Sequence, residues 1–227
     1  MALASNLAAM KWLVAMECSG RIRDALRERG HDAWSCDFKP CESDPQWHLQ
    51  ANVFSHDVVW HSDIKRGKTA KRGWDGMIAH PDCTFLTRAG ARHMRIPWRH
   101  EAMMAAVYNV RSLWAFPIPY IAIENPLGRL STLWRPPDQI IEPWMFGHPE
   151  FKATGLWLKG LPLLQATQKL ERPSRGTREH TLWNRVHREG PQGKEDRGTR
   201  RSRTLRGIAQ AMAAQWGDAD QLRLVTA

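Results

Sequence analysis

The patterned part of the chain opens with a short apolar run, Lys11-Trp-Leu-Val-Ala-Met-Glu17, which ends in a polar residue and is broken at once by Ser19-Gly20. Beyond the break, Ile22, Ala25 and Leu26 recur at the spacing of one helical face, and Arg29-Gly30 supplies a stop. The next run, His31-Asp-Ala-Trp-Ser-Cys-Asp37, reads as a second strand closing on an acidic residue. Strand, helix and strand in this order predict the opening β-α-β unit of a doubly wound α/β fold. Trp74 to Ala79 and Tyr120-Ile-Ala-Ile-Glu124 predict two further buried strands, with an apolar helix between them from about Trp98 to Phe116.

From residue 165 to 199 the periodicity gives way to Arg, Gly, Glu, Pro and His, the composition of an exposed basic loop or small insert. Patterning returns over Leu205 to Trp216, which predicts a helix. The expected organisation is a disordered leader over residues 1–10, a main domain over 11–164, and the basic segment over 165–199. A closing helix over 200–217 then returns to the main domain, followed by a tail over 218–227. Among the tryptophans, Trp12, Trp114 and Trp216 sit in apolar-patterned elements and are expected in the core, whereas Trp60, Trp98 and Trp183 lie near turns, where a nucleic acid could reach them.

Composition narrows the partner. The 227 residues are 42% hydrophobic, enough for one sizeable core, and 33 basic residues against 23 acidic ones give a formal charge of +10, which favours a polyanion such as nucleic acid. The four cysteines, Cys18, Cys36, Cys41 and Cys83, contain no CxxC pair and lack the companion histidine spacing of a zinc finger, so no metal is expected. The mildly apolar stretch from Ala2 to Val14 is interrupted by Lys11 and is too short to span a bilayer. The expectation is a cytoplasmic protein with reduced thiols, no membrane association and no obligate protein partner.

Ligand chemistry in an open α/β sheet gathers at the carboxyl ends of the strands. Glu17 to Gly20, Asp37, His80 to Thr84 and Glu124 to Pro126 are therefore expected to converge. A cysteine in a polar, turn-rich segment at a strand end, as in His80-Pro-Asp-Cys83-Thr84, is a candidate nucleophile as well as a candidate small core residue. Glu124 supplies a carboxyl group to the same crevice, although alone it would read as a cap or a surface ion pair.

Together these pieces resemble the DNA (cytosine-5)-methyltransferase family, in the short form carried by many bacteriophages and prophages, over nearly all of residues 11–217. Glu17-Cys18-Ser19-Gly20 is similar to the first cofactor loop, Asp37 stands at the position that holds the cofactor ribose, and Gln50-Ala51-Asn52-Val53 corresponds to the adenine-contacting loop. Pro81-Asp-Cys83-Thr-Phe-Leu-Thr-Arg-Ala-Gly90 resembles the nucleophile loop, and Glu124-Asn125 the glutamate-asparagine motif. Phe146-Gly-His-Pro149, followed by Lys152, resembles the aromatic-Gly-x-Pro stretch, while Arg203-Thr204 and Gly207 to Met212 resemble the closing motifs.

The resemblance implies a Rossmann-like class I methyltransferase sheet with a small basic insert, S-adenosylmethionine as cofactor, DNA as substrate, and the cytoplasm of a bacterial host cell as location. It assigns catalysis to Cys83 and Glu124, and cofactor binding to Glu17, Ser19, Gly20, Asp37, Phe38, Asn52 and Val53. DNA contacts fall to Arg88, Lys152, Arg178, Arg185, Arg200, Arg201 and Arg203, within the wider arginine-rich run from Arg172 to Arg206.

The chemistry accounts for these residue types. A thiolate adding at C6 of cytosine turns C5 into an enamine carbon, and a carboxylic acid with a raised pKa at N3 would lower the barrier. Positive surroundings for the thiolate are expected from His80, Arg88 or Lys152. Because stacking shields the ring in a duplex, the target nucleotide must be extruded.

Three positions depart from the family form. Asp82 stands directly before the cysteine where the family has proline, neutral Asn52 replaces an aspartate, and Lys152 and Thr154 occupy the place of two arginines. The short segment between Lys152 and Arg203 points to a short or relaxed recognition site. Two alternatives accompany the reading: a related cytosine-modifying enzyme with another donor or DNA substrate, and a catalytically weak DNA-binding or masking protein of the same fold.

Overall fold

Five consecutive buried residues make Lys11–Ala15 an inner strand of the sheet, β1. In this computed structural model, which describes residues 9–59, 73–87, 96–184, 203–218 and 222, β1 is followed by helix α1 (Arg21–Glu28) and strand β2 (Asp32–Asp37). A short strand β3 (His48–Gln50) and helix α2 (His56–Val59) come next, then β4 (Gly76–Ala79), the long helix α3 (Pro97–Trp114) and β5 (Tyr120–Pro126). A one-turn helix α4 (Leu130–Leu133), strands β6 (Gln139–Ile141) and β7 (Thr154–Lys159), and helices α5 (Arg178–Trp183) and α6 (Arg206–Trp216) complete the described elements.

The seven strands form one mixed sheet in the order β3-β2-β1-β4-β5-β7-β6. Strands β1 to β5 pair in parallel, whereas β7 runs antiparallel to both β5 and β6. The architecture is thus a Rossmann-like α/β sheet, with a reversed strand inserted near one edge. Strand order changes direction on either side of β1, so the crevice at its carboxyl end is the place where such a sheet receives ligands.

Alternation along β1 divides the core. Trp12 and Val14 face one layer, where Ile22 and Leu26 of α1 meet Ile208, Met212 and Trp216 of α6; Leu13 and Ala15 face the other, with Met103, Val107, Val110 and Leu113 of α3. Burying each large apolar side chain of this kind stabilises the fold by roughly 1.5–3 kcal/mol relative to exposure. Pro97 at the first turn of α3 and the recurrence of its buried residues at helical spacing explain both its start and its inward face.

The expected elements are present with bounds moved by a few residues. β1 stops at Ala15 because Met16 enters the left-handed region at φ 58°. Trp12 and Trp216 are fully buried and Trp114 packs against the core, as expected, and Trp98 is exposed. Trp183 is a correction: it is buried against Phe151, ring centroids 5.2 Å apart, and is unavailable to a nucleic acid. Trp60 lies outside the described residues. Met10 of the expected leader and Leu222 of the expected tail are both buried in the core. Among the described residues no helix is long and apolar enough to cross a membrane.

Candidate active site

The carboxyl end of β1 is shaped by Glu17, whose buried carboxylate collects the loop's own donors. Its Oε1 accepts the Ser19 amide (2.8 Å) and hydroxyl, and its Oε2 accepts the Gly20 amide (3.0 Å). Gly20 sits at φ 75°, and a Cβ there would lie 2.2 Å from Ser43 Oγ, so this turn admits glycine for both conformational and steric reasons. Arg23, fully buried, ties the next loop down by donating to Ser35 Oγ (3.0 Å) and Ser43 Oγ (2.6 Å). Sequence reasoning passed over Arg23 because a lone arginine on a helix normally reads as surface.

Beside this loop, Met16, Cys36, Asp37, Phe38, Ala51, Asn52, Val53 and Phe54 line a cleft of about 280 Å³ between the ends of β1, β2 and β3. Four expected cofactor residues, Asp37, Phe38, Asn52 and Val53, therefore do come together. Asp37 Oδ1 accepts the Lys39 amide (2.9 Å) and Asn52 Oδ1 the Phe54 amide (3.0 Å), which leaves the second Asp37 oxygen and the Asn52 amide nitrogen for a ligand. An acidic group, an amide donor and apolar walls suit a nucleoside, with the carboxylate accepting ribose hydroxyls.

The ends of β4 and β5 bring the two expected catalytic residues near enough for Glu124 to act electrostatically on Cys83. Ala79 pairs with Ile123, so the next positions, His80 and Glu124, lie side by side across the ladder. His80 Nδ1 is 2.7 Å from Glu124 Oε2, with both side chains largely buried. Asn125 Nδ2 donates to Pro81 O (3.0 Å) and holds the Cys83 loop to β5. Cys83 then begins a tight turn, its carbonyl accepting the Leu86 and Thr87 amides (2.9 and 3.2 Å). Asp82 Oδ1 caps that turn by accepting the Thr84 amide (2.9 Å) and hydroxyl (2.6 Å).

Thr87 bridges to Gly128, and Arg129 donates its amide to Leu86 O at 2.7 Å, so the loops after β4 and β5 rest on one another. Glu124 also faces a small cavity of about 20 Å³, shared with Lys152, Thr154, Thr204 and apolar side chains. Thr154, where the family form carries an arginine, is buried at the start of β7 and donates its hydroxyl back to Lys152 O (3.1 Å). Lys152 itself lies beside Glu124 and the cysteine.

Electrostatics differ from the sequence expectation at Glu124. Burial pushes its carboxyl up, but the hydrogen bond and charge of His80, with Lys152 behind them, outweigh burial and hold Glu124 below the usual range. His80 is correspondingly raised: burial opposes its charge, and Glu124 overcomes that opposition. Both shifts favour the charged forms of the pair, and the direction at Glu124 is opposite to the raised carboxylic acid expected from sequence. Burial first, then Asp82 and Glu124, push the Cys83 thiol up against the pull of Lys152. Asp82 thus has the disfavouring effect that its charge implies.

The expected DNA-contacting residues divide. Arg178, at the start of α5, is exposed, and Arg203 is held by an ion pair to Glu42 (2.6 Å). Arg88, Arg185, Arg200 and Arg201 lie outside the described residues. The two late motifs meet: Gly207 donates its amide to His148 Nε2 (2.9 Å), and a Cβ at Gly207 would lie 2.1 Å from Phe146 O. Neither a protein-family model nor a curated protein matches the chain. The functional reading therefore stands on motif order and on this geometry.

Proposed function

We propose that the protein transfers the methyl group of S-adenosylmethionine to C5 of cytosine in DNA, with Cys83 as the nucleophile that adds at C6. The observations that carry the reading are the buried His80–Glu124 pair across β4 and β5, within electrostatic reach of Cys83, whose loop Asn125 holds to β5, and the cleft at the ends of β1 to β3 that groups Asp37 with Asn52. The mixed sheet, with its single reversed strand, is compatible with the class I methyltransferase fold.

When bound, the donor supplies an electrophilic methyl group. The chain's residues do the rest of the described chemistry. Asp37 and Asn52 hold the nucleoside end of the donor in the cleft. Cys83, half-buried, loses its proton to solvent with Lys152 favouring the thiolate, and forms the bond to C6. Glu124 meets the pyrimidine edge at N3. Exposed cations such as Arg175 and Arg178 contact the DNA backbone, and the flipped base enters beside Cys83.

DNA containing 5-fluorocytosine tests the reading, because fluorine at C5 blocks the final elimination and leaves the enzyme covalently attached. Incubation with donor should give a trapped complex, and Cys83→Ala should abolish trapping while DNA binding persists. Donor binding without any trapping refutes the mechanism. That result would favour the second reading, a DNA-masking protein of the same fold, which the upward-shifted Cys83 thiol beside Asp82 supports.

A further inference from the structure

A conflict within the site points to an additional residue. Addition of a thiolate at C6 drives electron density onto N3, which must receive a proton, yet Glu124 rests as a carboxylate with nothing to give. The nearest proton is on His80, whose Nδ1 lies 2.7 Å from Glu124 Oε2.

We propose that His80 is the proton reservoir of the site, a positioning residue that supplies N3 through Glu124 and recovers the proton when the thiolate leaves. The inference rests on the reading of the site as a cytosine C5 methyltransferase. As the Cys83 thiolate forms the C6–S bond, the C5=C6 pair shifts to form C4=C5, and the C4=N3 pair moves to N3, which takes a proton from Glu124. Glu124, a carboxylate at rest, holds no proton of its own and passes to N3 the one it accepts from His80 Nδ1, so the net change is imidazolium to imidazole, and Glu124 is a carboxylate before and after. After methyl transfer and loss of the C5 proton to solvent, elimination of the thiolate restores C5=C6. N3 then returns its proton along the same path.

Three features fit this role. The parallel register sets His80 opposite Glu124, so the contact is built into the sheet and does not depend on a mobile side chain. His80 also donates its backbone amide to Ala15 O at 3.0 Å, which prolongs the ladder and fixes the ring's origin. Its Nε2 is buried with no partner among the described residues, so Nδ1 and Glu124 form the ring's one exchange route there. The other charged groups acting on the imidazole are Glu17 from the end of β1 and Lys152 from the approach to β7. Their charges oppose one another and leave Glu124 as the controlling partner.

His80→Asn tests the proposal, because the asparagine amide can still donate to Glu124 but carries no exchangeable positive charge. With unmethylated genomic DNA and S-adenosylmethionine, the full-length wild type should show a rate that rises as Cys83 ionises and falls as His80 loses its proton. His80→Asn should lower kcat by about 100-fold, keep KM for DNA within about threefold, and lose the alkaline fall. Wild-type kcat and an unchanged pH profile in His80→Asn would overturn the proposal. Nitrogen-15 NMR of histidine-labelled protein gives a readout independent of turnover. His80 should titrate above the ordinary histidine range and fall back toward or below it in Glu124→Gln. If the two groups titrate independently, the pair is refuted and the methyltransferase reading survives. If wild type forms no trapped complex, the methyltransferase reading fails and the N3 proton route falls with it.

Discussion

Gly128 follows β5 and lies against the backbone of the loop that carries Cys83. A Cβ added there would stand 2.0 Å from Leu86 O, 3.0 Å from Leu86 C and 3.2 Å from Thr87 Cα. Ordinary contact begins near 3.4 Å, and the obstructing atoms are backbone, so one loop must retreat by more than an ångström in Gly128→Ala. Overpacking of this kind costs about 1–3 kcal/mol. For a chain of this length that corresponds to a melting temperature lower by roughly 2–12 °C. The retreat also displaces Cys83, and a misplacement of about 1 Å at a reacting group lowers rates by about 100-fold. Thermal melting and the rate of covalent trapping measure the two effects separately. Gly73→Ala is the control, because a Cβ at Gly73 meets nothing within 4 Å. If Gly128→Ala melts and traps like Gly73→Ala, the two loops are not in the contact described, and the argument for a held nucleophile loop is wrong.

Other consequences can be checked in the same way. The raised His80 contributes stability below its ordinary pKa of 6.5 and loses it as pH rises through the folded value, while the lowered Glu124 contributes above 4.5 and loses it as pH falls through its folded value. The melting-temperature gap between wild type and His80→Asn should therefore be widest between those two limits and narrow on either side. Asp82→Asn keeps an acceptor for the Thr84 amide but removes a charge that raises the Cys83 thiol, so alkylation of Cys83 should begin at lower pH, measured with Cys18 and Cys41 replaced by serine. An unchanged alkylation profile would show that the Asp82 charge does not act on the thiol. Asp37→Ala should weaken S-adenosylmethionine binding about 10- to 100-fold by titration calorimetry, the worth of charged hydrogen bonds to ribose; equal affinity would place the donor elsewhere.

What could be read from sequence follows from what each element contributes by itself. β1, β4 and β5 are buried on both faces and announce themselves as apolar runs, and α1, α3 and α6 show helical recurrence of buried positions. β3 and β6 have three residues each, and β3 carries histidine and glutamine, so neighbouring strands create these elements and no internal period reveals them. β7 is longer, but its apolar core of Leu156, Trp157 and Leu158 is too brief to separate strand from helix. The grouping of Asp37 with Asn52, and the nearness of Cys83 to Glu124, were legible because ligand chemistry gathers at strand ends in this fold. The His80–Glu124 contact was not, because it depends on the register of β4 against β5, a relation between segments 44 residues apart. The protonation state of Glu124 was misjudged for the same reason: its partner was unseen.

The last described helix also carries a temporal meaning. Arg21 at the start of α1 donates to Thr204 O (2.8 Å), Arg203 is paired with Glu42, and Thr204 closes the cavity beside Glu124. A nascent chain that has emerged only as far as β7 has every described strand of the sheet, but its first helix still lacks the Ile208, Met212 and Trp216 surface that covers it. The final segment must therefore leave the ribosome before the apolar face of α1 is covered. Completion of this core layer is a late event of synthesis, and an unfinished polypeptide would carry an uncovered apolar helix face.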